Sequence, residues 1–265
     1  MSEIETMANH QQHDLSSQLV REISLAAPAY NEAEGIGKVV MAWLEHLKSL
    51  EFLNEFEIII CNDGSSDRTG QILSDLSAAH SQIKVVHLPT NQGGAAAMNL
   101  AIKNTTCEWV LMIDSDGQYP IENLGRMVEV VTESEVKAVT AVRIKKEDSA
   151  FMIIGSKASG WLCNVFHHTQ YKDFNCSLKL VRGDLLRALC LEARGLNYST
   201  EVSSKLTEKG ITMKEVRVEH LSRTSGRSKA QNLQSVWHRL LFVFYIGMRQ
   251  LLIKQKVLQI SPPEK

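Results

Sequence analysis

The chain has 265 residues, of which 44% are hydrophobic and 22% are charged, and its formal net charge is −1. These are the values of an ordinary globular protein with a substantial core, and they give no reason to expect a nucleic acid as a partner. The five cysteines form no C-x-x-C pair, residues 1–20 lack the apolar core of a signal peptide, and no segment reaches about 18 uncharged apolar residues. We therefore expect reduced cysteines, and neither a disulfide framework, a zinc site nor a transmembrane helix.

Apolar runs and amphipathic stretches alternate through the first half of the chain. Strands are predicted at 23–28, 56–61, 83–88, 109–113 and 138–142, and helices at 34–50, 67–80, 94–103 and 122–133. Short β-rich runs separated by helices predict right-handed crossovers and a mostly parallel sheet covered on both faces. We therefore expect an α/β fold that binds its ligands outside the carboxyl ends of the strands.

The second half is less regular. Its predicted elements are a helix at 149–168, a strand at 177–181, a helix at 200–209, a strand at 212–218 and a final helix from 231 to about 256. No low-complexity linker interrupts them, so we expect one continuous domain at 21–230. It is preceded by a flexible tail at 1–20 and followed by a C-terminal amphipathic helix and tail at 231–265.

Polar sequences follow each of the first four predicted strands. They are Tyr30-Asn31-Glu32, Asn62-Asp63-Gly64-Ser65, Asn91-Gln92-Gly93-Gly94 and the acidic pair Asp114-Ser115-Asp116. Because the carboxyl ends of parallel strands meet at one edge of a sheet, we expect these residues to form a single site.

The acidic pair is the most informative of these sequences. Asp114 and Asp116 stand one residue apart at the end of a buried strand. They can be read as a solvated turn or as a site for Mg²⁺ or Mn²⁺ on a nucleotide diphosphate, because such ions take oxygen ligands and neutralise phosphate charge. Their position after the fourth strand favours the cation site.

Two turn motifs accompany the acidic pair. Residues 65–67 are predicted to cap a helix, which leaves Asp63 uncommitted at its strand tip, able to accept from a base N–H or a ribose hydroxyl. Gly93 and Gly94 open another helix, either for close helix–sheet packing or to let backbone amides approach phosphate. Neither a G-x-G-x-x-G fingerprint nor a P-loop sequence is present.

Five ordered motifs together resemble a family 2 glycosyltransferase with the GT-A fold, over about residues 22–230. They are Ala27-Pro-Ala-Tyr-Asn-Glu32, the Asn62–Thr69 run, Asn91-x-Gly93-x-x-x-Ala97, Asp114-x-Asp116-Gly-Gln118-x-Pro120, and the distal run from His220 to Lys229. Within that family the chain is most similar to the dolichyl- and polyprenyl-phosphate hexose synthases, those for mannose or glucose.

The resemblance implies a metal-dependent, inverting transfer of a hexose from a nucleotide sugar, of the GDP-mannose or UDP-glucose type, to polyprenyl phosphate. Residues implied to bind the nucleotide sugar are Pro28, Tyr30, Asn31, Glu32, Asp63, Gly93, Gly94, Asp114 and Ser115. Residues implied to hold Mg²⁺ or Mn²⁺ are Asp114, Asp116 and Gln118. Those implied to act in catalysis are Asp116, Arg143, Arg223 and Lys229, and those implied to meet the acceptor are Lys157, Lys179, Glu201 and Ser228.

The nature of the acceptor depends on charge. A phosphate acceptor is already anionic, so it needs nearby cations and no strong general base, whereas a hydroxyl acceptor needs a positioned carboxylate or histidine. The basic loop around Arg223 favours the phosphate. A glycosyltransferase of the same fold that acts on the hydroxyl of a glycan, lipid or small molecule is the alternative, followed by a silent nucleotide-sugar-binding scaffold.

Two departures from the relatives concern the acceptor side. Ser156-Lys157 replaces a Ser-Arg pair and loses the bidentate fork of arginine. The run from Asp173 to Lys179 stands where relatives often read Asp-x-x-x-Gly-Phe-Arg, so that Ser177, Leu178 and Lys179 replace glycine, phenylalanine and arginine. We expect a reshaped acceptor pocket.

The C-terminal helix has three interpretations. Between Leu221 and Lys256 there are seven basic residues and no acidic one, and the middle of the helix is apolar nearly all round. It could pack on the domain, form a homodimer, or lie on an anionic membrane surface. The protein is accordingly expected to be cytoplasmic, either free or peripheral on the cytosolic membrane face.

Overall fold

The computed structural model describes residues 20–144, 150–193, 195, 197–221 and 233–254, in which seven strands form one sheet flanked by eight helices. The strands are β1 (Glu22–Ala29), β2 (Glu55–Asn62), β3 (Ile83–His87), β4 (Trp109–Met112), β5 (Ala138–Arg143), β6 (Lys179–Arg182) and β7 (Lys214–Val218). The helices are α1 (Ile36–Ser49), α2 (Thr69–Ala79), α3 (Gly94–Lys103), α4 (Asn123–Ser134), α5 (Ala150–His167), α6 (Gly183–Arg187), α7 (Tyr198–Glu208) and α8 (Leu233–Lys254).

The sheet has the strand order β3-β2-β1-β4-β6-β5-β7. All neighbouring pairs are parallel except those of β6, which runs antiparallel to both β4 and β5. The predicted α/β fold with a mostly parallel sheet is therefore confirmed. The reversed direction of β6 brings its first residue, Lys179, level with Met112 of β4 and Thr140 of β5. The residues just before β6 consequently lie at the edge of the sheet where β4 and β5 end.

Both faces of the sheet are covered, which explains why the central strands are apolar on both sides. On one face Leu25 and Ile60 pack into the same cluster as Trp43 of α1. On the opposite face Ile59 packs with Met98 of α3, and Val202 of α7 joins the same cluster. Helix α7 thus lies over the sheet and not at its periphery, which places its first residues near the strand tips.

Helices α5 and α8 pack against each other outside this core. Val243 of α8 is fully buried in a cluster with Cys163 of α5, and the rings of Phe166 and Phe244 meet edge to face at 6.5 Å. At the crossing, a side chain on Gly247 would collide with the Phe166 ring. The C-terminal helix therefore packs on the domain through α5, the first of its three interpretations.

Large apolar side chains remain exposed on this pair of helices. The set, called the apolar helix face below, consists of Ile154, Trp161 and Val165 on α5 and Trp237, Leu241, Phe244, Tyr245, Met248 and Leu251 on α8. Apart from the adjacent Phe244 and Tyr245, neighbours in this set are three, four or seven residues apart within each helix, so they lie along one side. No helix in the described part of the chain is both long and apolar enough to cross a membrane.

Candidate active site

The loops that follow β1 and β2 are joined by reciprocal hydrogen bonds. Asn31, at a left-handed φ of 54°, donates its backbone N–H to Ser65 Oγ at 3.0 Å and accepts from Ser66 N–H through Oδ1 at 2.9 Å. The backbone N–H of Glu32 donates to Thr69 Oγ1 at 2.8 Å. Two of the residues predicted to bind the nucleotide thus belong to one pre-formed surface built from both strand tips.

The predicted helix cap is present, and of the three predicted residues Asp67 makes it. Helix α2 begins at Thr69, and Arg68 at its cap position makes no side-chain bond to it. Asp67 serves instead, because its carboxylate accepts from the N–H of Thr69 at 3.0 Å and from that of Ala33 at 3.2 Å. Burial alone raises the pKa of Asp67, but the hydrogen bonds from Thr69 and Ala33 lower it below its ordinary value.

The prediction that Asp63 stays uncommitted is wrong. Its side chain is buried, and its carboxylate accepts hydrogen bonds from Asn91 Nδ2 at 2.9 Å, Gln92 N at 2.7 Å and Gly93 N at 2.9 Å. Asp63 therefore holds the loop that follows β3. A nucleoside could therefore bind Asp63 only through a carboxylate lone pair that these three donors do not use.

The glycine turn before α3 packs against another loop. Gly93 adopts a φ of 95°, a region that favours glycine, and its missing side chain leaves room for the backbone of Gly195. The carbonyl oxygen of Gly195 accepts from Ala95 N–H at 2.7 Å. A phosphate bound at the start of α3, where Gly94 was predicted to admit it, would compete with this carbonyl for the Ala95 amide.

The acidic pair lies at the end of β4 beside the tip of β1. Ser115, which separates the two aspartates, is buried and donates its hydroxyl to the backbone carbonyl of Pro28 at 2.7 Å. Asp116 Oδ1 accepts from Gln118 N–H at 3.1 Å, and Gly117 makes the turn at a φ of 72°. Anchoring the middle residue to β1 fixes the backbone that carries both carboxylates.

Two hydroxyl groups that the sequence did not bring into the site contact Asp114. Tyr198, the first residue of α7, donates to Oδ1, and Ser177 donates to Oδ2 at 2.5 Å. Burial, reinforced by the negative charge of Asp114, raises the pKa of Tyr198 well above its ordinary value, so the phenol acts as a donor. The one available signal was Ser177, at a position where the family resemblance leads one to expect glycine.

The basic distal run begins next to the acidic pair. Gln118 Nε2 donates to the carbonyl of Leu221 at 3.1 Å, and Leu221 N–H donates back to the carbonyl of Gln118 at 2.8 Å. His220 meets Tyr119 edge to face, with ring centroids 4.9 Å apart. The distal run thus starts at the predicted metal site. Three predicted residues in it, Arg223, Ser228 and Lys229, lie outside the described residues.

Arg143 has a different partner from the predicted phosphate. Its guanidinium binds both carboxylate oxygens of Asp173, with Nε at 2.7 Å and Nη2 at 3.0 Å, and the Arg143 and Asp173 side chains are only 13% and 2% exposed. This bidentate pair occupies the Nε/Nη2 edge, one of the two edges through which a guanidinium can bind a phosphate with two hydrogen bonds. A direct contact of Arg143 with phosphate stays a prediction, and it would have to use the N–H groups that Asp173 leaves.

Two of the predicted acceptor residues are used inside the protein. Lys179 is fully buried and donates from Nζ to Thr140 Oγ1 at 2.9 Å, and burial lowers its pKa to about 8. Glu201 is also fully buried, accepting at 2.7 Å from each of two backbone N–H groups, at residues 192 and 193. Both side chains are therefore closed off from solvent. Lys157 is exposed on α5.

The donor set at the acidic pair fits a hard divalent cation. Asp114 and Asp116 supply carboxylate oxygens, the ligand type that Mg²⁺ and Mn²⁺ prefer. Within the residues that the structure describes, no group of three or more His, Cys, Asp and Glu side chains is placed to hold a metal. Two carboxylates suit an ion that takes its other ligands from substrate phosphates and water, as Mg²⁺ commonly does.

Sequence comparisons point to one family. A family model described as Glycosyl transferase family 2 matches residues 24–183. A relative from Pectobacterium carotovorum subsp. carotovorum (strain PC1), undecaprenyl-phosphate 4-deoxy-4-formamido-L-arabinose transferase, is 25% identical over 218 residues. The match covers 82% of this chain and 65% of the relative.

Solved structures with the same fold include two sugar–phosphoglycerate synthases. Glucosyl-3-phosphoglycerate synthase from Mycobacterium tuberculosis, in complex with Mn²⁺, UDP-glucose and phosphoglyceric acid, aligns with a TM-score of 0.64 and 17% identity over 88% of this chain and 82% of that chain. Mannosyl-3-phosphoglycerate synthase from Rubrobacter xylanophilus aligns with a TM-score of 0.66 and 19% identity over 94% of this chain and 79% of that chain. At these identities the likeness is one of fold.

Proposed function

The chain belongs to glycosyl transferase family 2, and on that premise we propose that it transfers a hexose from a nucleotide sugar to the phosphate of a polyprenyl phosphate, using Mg²⁺ or Mn²⁺. The observation that carries the donor side is the acidic pair, whose loop is bonded to β1 through Ser115 and to Leu221 through Gln118. The donor and the distal basic run would therefore meet at Asp114 and Asp116.

In this reaction a phosphate oxygen of the acceptor attacks the anomeric carbon of the sugar, and the bond from that carbon to the nucleoside diphosphate breaks on the opposite face. When bound, the cation would neutralise charge on the departing diphosphate. Asp114 and Asp116 would hold it, and the joined loops after β1 and β2 would orient the nucleoside. Because the acceptor is already an anion, no general base is required.

The acceptor class is supported by the named relative, an undecaprenyl-phosphate sugar transferase, and by the basic composition of the distal run. Because the match covers only 65% of that relative, its lipid acceptor is carried over to this chain as a proposal. Transfer to a hydroxyl group is the competing outcome. The product distinguishes them, because mild acid cleaves a glycosyl phosphate and leaves an ordinary glycoside intact.

The metal and donor sites are tested together by Asp116→Asn. We expect turnover of the nucleotide sugar to fall by at least about a hundredfold, because one cation ligand loses its charge while the side-chain shape is kept. The control is Glu122→Gln, an exposed carboxylate just after the site, which should keep full activity. If Asp116→Asn turned over the nucleotide sugar in excess EDTA at the rate of the untreated wild type, the metal would have no part in the reaction.

The nucleotide is identified by thermal shift in Mn²⁺ with UDP-, GDP-, dTDP- and CDP-sugars in parallel. A donor present at a hundred times its dissociation constant stabilises the folded state by about 2.7 kcal/mol through mass action, so it should raise the melting temperature clearly. Failure of every nucleotide sugar to do so would reject the proposed donor site.

We also propose that the apolar helix face rests on an anionic lipid surface. It exposes two tryptophans and a tyrosine, residues that favour the membrane interface. The stretch from Leu221 to Lys256 carries basic and no acidic residues, which complements anionic headgroups. A lipid acceptor would then reach the active site without leaving the bilayer.

Vesicle flotation tests this surface. The protein should float with phosphatidylglycerol vesicles and much less with phosphatidylcholine vesicles, and the double variant Leu241→Ser, Phe244→Ser should lose most of this binding because two exposed apolar groups are removed. Equal binding of the variant would reject the proposed face. A dimeric mass in light scattering that the double variant converts to a monomer would assign the face to a second copy instead.

A further inference from the structure

Both carboxylate oxygens of Asp114 are held by neutral hydroxyl groups. Tyr198 donates to Oδ1 and Ser177 donates to Oδ2 at 2.5 Å, and both donors are largely buried, with 3% and 6% of their surface exposed. A carboxylate with a donor on each oxygen cannot turn about its terminal bond without breaking a hydrogen bond. Each oxygen still has a second lone pair that can bind a cation.

The two hydroxyls are delivered by one packed unit. Asn175 joins the segment before β6 to α7: its Oδ1 accepts from Thr200 Oγ1 at 2.7 Å and its backbone carbonyl accepts from Ser199 Oγ at 3.0 Å. Its Nδ2 donates to the carbonyl of Ser156 at 3.0 Å and to Ser159 Oγ at 2.8 Å, which ties the same segment to α5. The amide group of Asn175 is thus fully engaged, and Tyr198 and Ser177 are fixed relative to each other.

We propose that Tyr198 and Ser177 are positioning residues that set the orientation in which Asp114 binds the divalent cation. The role rests on the proposed metal site. It goes beyond that site, because the run from Asp173 to Lys179, which we expected to shape the acceptor pocket, would also position a ligand of the cation. Ser177, at the end of the segment before β6, thereby adds a donor to a carboxylate that we propose as a cation ligand. Loss of a group that hydrogen-bonds to a metal ligand typically costs about 10- to 100-fold in metal affinity or activity.

The test measures cation binding without turnover. Free Mn²⁺ is followed by electron paramagnetic resonance while it is titrated into the protein, in the presence of UDP and, in parallel, GDP. Tyr198→Phe should weaken Mn²⁺ binding by about tenfold or more, and Ser177→Ala should weaken it in the same direction. The matched control is Tyr245→Phe, a half-exposed tyrosine on α8, which should bind Mn²⁺ like the wild type.

The outcomes separate this role from the proposed function. If the wild type binds Mn²⁺ and both variants bind it within twofold of the wild type, the positioning role is wrong while the metal site stands. If the wild type binds no Mn²⁺ with either nucleotide, the metal site itself is rejected, and the role with it. Loss of the cooperative melting transition would identify an unfolded Tyr198→Phe protein. Ser177→Ala, whose change is smaller, then decides.

Discussion

The loops after β1, β2 and β3 and the segment from Asp173 to Lys179 lie at the same edge of the sheet, but different interactions hold them. The loops are joined by side chains that bind nearby backbone amides, as Asp63 and Asp67 do. The segment is held by buried charged groups that pair with each other, as Arg143 does with Asp173. One side therefore depends on turn chemistry and the other on desolvated charge, and they should respond differently to substitution.

The largest effect is expected for Asp173→Ala. It removes the carboxylate from a buried arginine and should lower the free energy of unfolding by about 3–5 kcal/mol. Urea denaturation measures this loss. The control is Glu108→Ala, which removes the partner of Arg182 where the two side chains are about a third exposed (32% and 33%), and it should cost less than about 1 kcal/mol. Equal losses would contradict the role of buried charge in holding the segment that contains Asp173.

Lys179→Met should stabilise the protein at neutral pH. Burial lowers the pKa of Lys179 from its ordinary 10.5 to about 8, so the charged form costs the folded state roughly 3 kcal/mol. Replacement by Met removes this cost, but it also removes the hydrogen bond to Thr140, which contributes about 1 kcal/mol. Because the folded pKa is the lower one, the wild-type penalty is complete below pH 8 and disappears as the pH rises to about 10.5.

Unfolding measured from pH 7 to 10.5 should therefore show a gain for Lys179→Met that shrinks with rising pH. Lys172→Met, an exposed lysine seven residues earlier, provides the matched control and should show no such trend. A gain that does not vary with pH would mean that burial of charge is not its cause.

Helical glycines provide a comparison of intermediate size. Gly247→Ala should cost about 1–3 kcal/mol, because the new methyl group would lie 2.4 Å from the Phe166 ring and force α8 away from α5. Gly125→Ala in α4 meets nothing within 4 Å and should gain up to about 1 kcal/mol from helix propensity. Thermal unfolding of both variants checks the signs, and a loss at Gly125 would be inconsistent with this packing.

The smallest effect is expected for Asp67→Ala, which removes the amide acceptor at the start of α2 and should cost about 1 kcal/mol. The folded pKa of Asp67 is lowered, so its contribution is present above the ordinary value of 3.8 and is lost as the pH falls through the folded pKa. Asp75→Ala on the same helix breaks only a bond from Gln71 and should cost about 0.2–0.5 kcal/mol. Equal losses at neutral pH would show that Asp67 is not the cap.

The sequence predicted the fold closely, because its periodicities and turn residues are local signals. Every predicted strand and helix is present with bounds that differ by at most two residues, and only the short helix α6 and the reversed direction of β6 were missed. The family resemblance, the GT-A-type α/β fold and the enzyme class are confirmed by the matched family and the similar structures.

The site was harder to predict, because its contacts join residues far apart in the chain. The loops after β1 and β2 were expected to meet, and they do. The engagement of Asp63 by residues 91–93, and of Asp114 by Tyr198 84 residues later, follows from tertiary packing that no local pattern encodes. The buried positions of Lys179 and Glu201 were missed for the same reason, since both carry charges that usually indicate the surface.

The reversed strand β6 has a consequence for how enzymes of this kind can diverge. Because it lies between β4 and β5 and starts where they end, the five residues from Asp173 to Ser177 reach Arg143 with one end and Asp114 with the other. Exchange of these five residues would alter the surroundings of the Asp114 carboxylate and of the Arg143 guanidinium in a single step. An engineer who grafts this run should therefore expect the surroundings of Arg143 and of Asp114 to change together.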